Sequence, residues 1–280
     1  MKPVWCAGCG NYGVYAGIHS ALTGLGIEKE KVLIVSGIGC SSAMPSSFST
    51  YGIHSLHGRL LPVAAGAKLA NDSLTVIGVG GDGDGYGIGV GHLIHTARRN
   101  IDMAYIVNDN QIYGLTTGQA SPTSMMGAKT KSTPLGSIET PENPIGIALA
   151  AGASYVARAF SGDPAHMAGL IKEGILHKGF ALIEVLSPCV SFNDLNTSEW
   201  FKQRVYKLEQ VGHDPADMGK ALEKSLEAEN SGWSKIPIGL FYRKERPTYS
   251  ELDIMLKKGP LVDQPNPTKQ QVLETLEELR

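Results

Sequence analysis

The chain has 280 residues, 42% of them hydrophobic, and a formal net charge of −2. That length suits one large α/β domain or two small ones with a real core. The balanced charge points away from nucleic acid as a partner, and no apolar run approaches the ~20 residues that span a bilayer. The opening MKPVWCAGCG lacks an apolar h-region and a cleavage site, so a cytoplasmic location is expected. The 34 glycines crowd the part before residue 120, in strings such as GIGCS, GVGGDGDGYGIGVG and YGLTTG. Glycine so placed marks backbone that bends sharply or approaches a ligand closely.

In chain order, Tyr12 to Gly26 read as a helix and Lys31 to Ser36 (KVLIVS) as a buried strand. Pro62 to Asn71 suit a helix with proline in its first turn. Leu74 to Val79 form the second strand, Gly87 to Arg99 a helix with Arg98 and Arg99 at its negative end, and Ile101 to Val107 the third strand. Ile145 to Ala151 read as a small-residue helix, Ser154 to Ala159 and Ala181 to Leu186 as the fourth and fifth strands, with a helix from Pro164 to His177 between them. Short apolar strands alternating with helices imply an α/β fold: a mostly parallel sheet with helices on both faces. Two parts are expected, residues 1–195 and a C-terminal extension, 196–280, packing on the core or on a partner subunit. Within the extension, Thr268 to Arg280 read as an amphipathic helix capped by Thr268.

Ligands of such sheets lie beyond the carboxyl ends of the strands. The first strand ends in GIGCSS, the second in GGDGDG, the third in NDNQIYGLT and the fifth in SPC. One edge should therefore carry Cys40 with Ser41 and Ser42, the aspartates Asp82 and Asp84, the asparagine Asn110, and Cys189. Bare backbone at Gly81, Gly83 and Gly85 can approach a diphosphate, helped by the N-terminus of the helix that follows. Magnesium takes about six oxygens, usually one or two carboxylates plus phosphate oxygens. Asp82, the Asn110 amide oxygen and the Ile112 carbonyl can supply the protein's share.

The four cysteines are Cys6, Cys9, Cys40 and Cys189. A disulfide framework is disfavoured in a reducing compartment. One C-x-x-C with two isolated cysteines is not the paired C-x-x-C pattern of a structural zinc site. Spacing alone leaves three readings open: a 4Fe–4S cluster, a zinc ion, and inert buried thiols at Cys40 and Cys189.

GDG followed 28 positions later by Asn110 resembles the thiamine-diphosphate-binding motif. The longer string from GDGDGYGIGVG to GQASPT, with WCAGCGNYG, GIGCSS, HGRLLPVAAGAKLAN and SPCVSFN in the same order, resembles the β subunit of the 2-oxoacid:ferredoxin oxidoreductases. The resemblance covers roughly residues 4–195. It implies the diphosphate-binding type of thiamine-diphosphate fold, with all four cysteines as ligands of one 4Fe–4S cluster. It also implies magnesium on Asp82, Asn110 and Ile112, and cofactor contacts from Ile38, Gly39, Cys40, Ser41, Ser42, His57, Gly81, Gly83, Asp84, Gly114, Leu115 and Thr116. Gly118 to Thr123 would form part of the active-site wall. The implied activity is thiamine-dependent oxidative decarboxylation of a 2-oxoacid, pyruvate or 2-oxoglutarate, to acyl-CoA and CO2, with electrons leaving through the cluster to ferredoxin.

The implied assembly is a heterodimer with an α subunit, or a complex with α and γ subunits. No catalytic residue is assigned in this chain, because the glutamate that polarises the aminopyrimidine is expected on the partner. His92 and His95 share a helix face without a third ligand, so polar packing is the expectation there. The competing reading is a non-redox thiamine-diphosphate-dependent 2-oxoacid decarboxylase subunit with a structural four-cysteine zinc site. A scaffold that has lost its chemistry is a third, disfavoured by the intact GDGDG, Asn110 and cysteines.

Overall fold

Apolar residues on alternate sides of each strand make two cores, one on each face of a sheet. On β1 (Val32–Ser36), Leu33 and Val35 pack with Leu60, Leu61 and Ala64 of α2 (Leu60–Ala70), while Val32 and Ile34 pack with Val14 and Ile18 of α1 (Asn11–Leu25). Burial on both faces is why these strands read as continuous apolar runs rather than as alternating ones. The computed structural model describes residues 3–279.

The remaining elements follow as β2 (Tyr51–His54), β3 (Thr75–Gly81), α3 (Val90–Arg99), β4 (Met103–Asp109), α4 (Pro144–Ala150), β5 (Tyr155–Phe160), α5 (Pro164–Leu176) and β6 (Phe180–Leu186). The C-terminal part adds α6 (Ser198–Lys202), β7 (Val205–Lys207), α7 (Met218–Ser225), α8 (Glu227–Asn230), β8 (Ile236–Arg243), α9 (Tyr249–Leu252) and α10 (Lys269–Glu278). Local chemistry sets several starts. Asn143 and Asp163 accept from the backbone N–H of Gly146 and His166, and each is followed by a proline at the first helical position of α4 or α5.

The sheet has eight strands in the order β2-β1-β3-β4-β6-β5-β8-β7. The first six run parallel, β8 is antiparallel to β5, and β7 runs parallel to β8. From β1 the chain crosses outwards to β2 and then back over β1 to β3, so the strand order reverses between β1 and β3. The carboxyl ends at such a reversal open a crevice where ligands bind.

Three features depart from the expectations. The helix expected from Gly87 begins at Val90, because Gly83–Ile88 first winds as a wide π-type turn. Side-chain-free Gly85 admits the Tyr105 hydroxyl against that turn, and Gly83 admits the Tyr113 ring. Strand β2 lies outside the expected elements; all four of its residues are exposed, so no apolar run marks it. So do β7 and β8, which continue the sheet from within residues 196–280. Helix α10 occupies most of the expected Thr268 to Arg280, with a reciprocal Thr268–Gln271 cap and no buried residue; Arg280 lies outside the described residues, as do Met1 and Lys2 of the N-terminal segment.

Candidate active site and four-cysteine cavity

The loops after β1, β3 and β4 enclose a cavity of about 600 Å3 at the point of reversal. Ile38, Gly39, Cys40 and Ser41 line it from the first loop, Gly81 to Asp84 from the second, and Asn110 with Ile112 to Thr116 from the third. His57 closes one side, and Gln119 and Ala120 belong to the opposite wall. Ser42, expected among these residues, is absent from the lining. The turn over Cys40–Ser47 carries it behind the wall, where its carbonyl accepts from the Ser36 hydroxyl at 2.9 Å.

Asp84 holds the loops together. Its Oδ1 accepts from the backbone N–H of Ile38 at 2.9 Å and of Gly58 at 2.7 Å, and lies 3.1 Å from His57 Nδ1. The contact to Nδ1 leaves His57 Nε2 as the ring's remaining polar atom. Asp84 Oδ2 and the Ser41 hydroxyl are buried without a partner. A cavity wall that offers an unpaired hydroxyl and bare glycine backbone suits the phosphate oxygens of a diphosphate.

Asp82 is 2% exposed, and its Oδ2 is 2.9 Å from the Thr123 hydroxyl. The same hydroxyl is 2.7 Å from Oδ1 of Asp109, the last residue of β4. Burial raises the pKa of both carboxyls above the ordinary carboxylate range, and the negative charge of Asp82 adds to the rise at Asp109. Beyond Asp109 the backbone turns at Gln111, a non-glycine residue at φ 57. The side chain of Asn110 and the segment from Ile112 onwards thereby share one wall of the cavity. Asn193, a residue the sequence reading did not single out, donates from Nδ2 to the Asn110 carbonyl at 3.0 Å.

All four cysteines line a second cavity, of about 320 Å3, next to the first. Gly39, Cys40, Asn110, Gly114 and Leu115 belong to both linings, so one thin wall separates the two spaces. At Gly114 a Cβ would lie 3.6 Å from the Cys189 sulfur and 3.7 Å from that of Cys40. Gly10 N–H donates to the Pro188 carbonyl at 3.1 Å, which docks the Cys6–Cys9 turn beside Cys189. Trp5 Nε1 donates to the Cys40 carbonyl at 2.6 Å, tying the N-terminal segment to the loop after β1. Burial pushes the Cys9 thiol up to about 11, with the neighbouring cysteines adding to the rise, and burial raises Cys40 as well. Thiolate ligands would have to shed those protons on binding metal.

Among the described residues, no three His, Cys, Asp or Glu side chains converge where a single ion would sit. A tetrahedral zinc would need four sulfurs within about 2.3 Å of one point. Here four thiols line one space, a donor set that serves a 4Fe–4S cluster or, drawn together on one point, a zinc ion. The cation expected in the first cavity asks for less, one carboxylate beside amide, carbonyl and phosphate oxygens. His92 makes no metal-like group; its Nε2 stands 3.1 Å from Arg59 Nη1.

Comparison with known proteins bears on both cavities. Residues 37–185 match the thiamine pyrophosphate enzyme C-terminal TPP-binding domain, and residues 189–258 match the family built on the C-terminal part of the pyruvate ferredoxin oxidoreductase β chain. A 2-oxoacid:ferredoxin oxidoreductase β subunit from Sulfolobus sp is 45% identical over 88% of this chain and 84% of its own. One from Saccharolobus solfataricus is 43% identical over 96% of this chain and 90% of its own. A 2-oxoglutarate:ferredoxin oxidoreductase from Magnetococcus marinus, solved with 2-oxoglutarate, coenzyme A and succinyl-CoA bound, has 39% identity and a TM-score of 0.90, covering 99% of this chain and 92% of that one.

Proposed function

The chain belongs to the 2-oxoacid:ferredoxin oxidoreductase β-subunit family, and from that premise we propose that its two cavities hold thiamine diphosphate with magnesium in one and a 4Fe–4S cluster in the other. The observation that carries the proposal is the shared wall: Cys40 and Gly114 belong to both linings. When bound, thiamine diphosphate supplies the nucleophilic carbon for a 2-oxoacid, and the cluster supplies a one-electron path away from it.

The chain's own part is to bind and orient. Asp82, the Asn110 amide oxygen and the Ile112 carbonyl would hold magnesium. Ile38 to Ser41, Gly81, Gly83 and Gly114 to Thr116 would line the diphosphate side, with Asp84 fixing the loops and presenting His57. Cys6, Cys9, Cys40 and Cys189 would ligate the cluster. No glutamate lines the larger cavity among the described residues, which supports the reading that the α subunit, alone or with a γ subunit, supplies the pyrimidine-activating glutamate.

The substrates would be a 2-oxoacid and coenzyme A, with ferredoxin as electron acceptor; the ligands of the Magnetococcus marinus protein favour 2-oxoglutarate. Residues 196–280 would extend the sheet and offer surface to the partner subunit. Among the described residues no helix is long and apolar enough to cross a membrane, and a cytoplasmic location is part of the proposal. The non-redox decarboxylase with structural zinc is not favoured, since the matched relatives are named as ferredoxin oxidoreductase subunits.

Metal analysis of the αβ complex, prepared without oxygen, tests the proposal. Iron and acid-labile sulfide in equal amounts with a visible charge-transfer band are expected; stoichiometric zinc without sulfide would overturn the redox reading. Cys9→Ser should lose the cluster and still bind thiamine diphosphate.

A further inference from the structure

Of the expected wall segment Gly118 to Thr123 only Gln119 and Ala120 line the larger cavity, yet the part behind them, Ser121 to Ser124, touches both halves of the proposed cation site. Thr123 is 2% exposed and does not line the cavity. Its hydroxyl instead lies within hydrogen-bond reach of both Asp82 Oδ2, at 2.9 Å, and Asp109 Oδ1, at 2.7 Å, sharing its single proton between the loop after β3 and the end of β4. One residue on, the Ser124 hydroxyl donates to the Gln111 carbonyl at 2.6 Å and accepts from Ser121 N–H at 2.8 Å. Gln111 is the residue at φ 57 whose turn places Asn110 and Ile112 on one wall. A non-glycine residue in the left-handed region persists only where its surroundings hold it, and Ser124 is part of what holds it. The Pro122 carbonyl accepts from Glu142 N–H at 2.9 Å, which anchors the loop from behind.

We propose that Thr123 is a positioning residue for magnesium: its hydroxyl fixes the rotation of the Asp82 carboxylate, while Ser124 holds the Asn110–Ile112 turn, so that ligands from two strands are set before the cation arrives. A carboxylate with one oxygen tied down presents the other in one orientation. Without the Thr123 hydroxyl, the Asp82 carboxylate loses one of the contacts that set its rotation, the cation has to supply more of that order, and the affinity would fall. Outer-shell partners of metal ligands act in this way and typically change affinity by about 10–100-fold when removed.

The inference rests on the reading that Asp82, Asn110 and Ile112 hold magnesium, and the experiment separates the two. Magnesium is titrated calorimetrically into the metal-stripped αβ complex at saturating thiamine diphosphate. Thr123→Val, close in shape but lacking the hydroxyl, should weaken magnesium by about tenfold or more, with full cofactor occupancy recovered at high magnesium. Thr123→Ser, which keeps the hydroxyl, should restore the wild-type affinity. A purely packing role would give the reverse order, because serine drops the methyl group. Wild-type affinity in Thr123→Val, or equal weakening in Thr123→Ser, overturns the proposal. If Thr123→Val does not fold, Thr123→Ala is titrated in its place with the same two outcomes. Asp82→Ala should show no magnesium-dependent cofactor binding; if it binds as wild type, the cation assignment itself falls, whatever Thr123 does.

Discussion

Asn100 sits just past the end of α3 in the left-handed region, at φ 52, and its side chain explains why asparagine stands there. Its Oδ1 accepts from the Ser154 hydroxyl at 2.6 Å and from Phe180 N–H at 3.0 Å, and its Nδ2 donates to the carbonyls of Arg246 and Pro247. Ser154 in turn lies 2.7 Å from His177 Nε2. Each buried polar group left unpaired here would cost roughly 1–3 kcal/mol, so the knot joins the starts of β5 and β6 to the C-terminal segment. Burial depresses the pKa of His177, with Arg243 adding to the effect. The folded state therefore prefers the neutral ring; that stability is fully present above the unfolded value of about 6.5 and is lost as pH falls through the lower folded value. Urea midpoints measured at pH 7.5 and pH 5.5 should differ less in His177→Gln than in the wild type. An unchanged difference would mean that His177 does not carry this acid sensitivity.

At the scale of elements, the N-terminal turn is held by close approach at Gly10 as well as by Trp5, which is buried in the core on the α1 side. At Gly10 a Cβ would meet the Ser187 hydroxyl at 2.5 Å and Pro188 N at 2.9 Å, both on the segment that leads to Cys189. Asn11, 3% exposed at the start of α1, accepts from Asn108 Nδ2 at 2.7 Å and joins the same contact. Gly10→Ala should push the Cys6–Cys9 turn off Pro188 while leaving the core on the α2 face untouched and disturbing the other only at Trp5 and Cys9. Iron content should fall in that variant with little change in its thermal midpoint; a full complement of iron would show that the turn tolerates the displacement. At the other end of the sheet, Arg246 Nη2 donates to the Ala97 and Arg98 carbonyls, closing the exposed end of α3. Arg98 and Arg99 stand in the last turn of α3, as expected at its negative end, and the C-terminal segment adds the contact that pairs its last carbonyls.

At the scale of the whole molecule, exposed apolar side chains stand beside the larger cavity. Leu115 on the cavity wall, and Leu56 and Ile88 on the loops that carry His57 and Asp84, are exposed large apolar side chains beside the place where the cofactor would bind. Burying one such side chain typically contributes about 1.5–3 kcal/mol, so covering this rim favours association. The isolated chain should bind thiamine diphosphate weakly and show no oxidoreductase turnover. Adding the α subunit should restore 2-oxoacid-dependent ferredoxin reduction. Turnover by this polypeptide alone would contradict the division of the site between the two chains.

What the sequence by itself determined was the architecture around the site. Apolar runs such as KVLIVS and ALIEVL identify strands buried on both faces, and a strand end can be read from where such a run stops, so the loops carrying Cys40, Asp82, Asn110 and Cys189 were legible as neighbours on one edge. Composition is silent where a strand is not buried or is broken by turn-forming residues. For that reason β2, with four exposed residues, and β8, with proline and glycine in IPIGLFYR, emerged only from their pairing. Tertiary structure alone decided the contacts between distant residues: Thr123 on Asp82, Asn193 on the Asn110 carbonyl, Trp5 on the Cys40 carbonyl, and the one wall shared by the two cavities. Periodicity reports which face of an element is buried; it carries no information about which hydroxyl or amide meets a given oxygen across the fold, because that depends on how separate loops pack together.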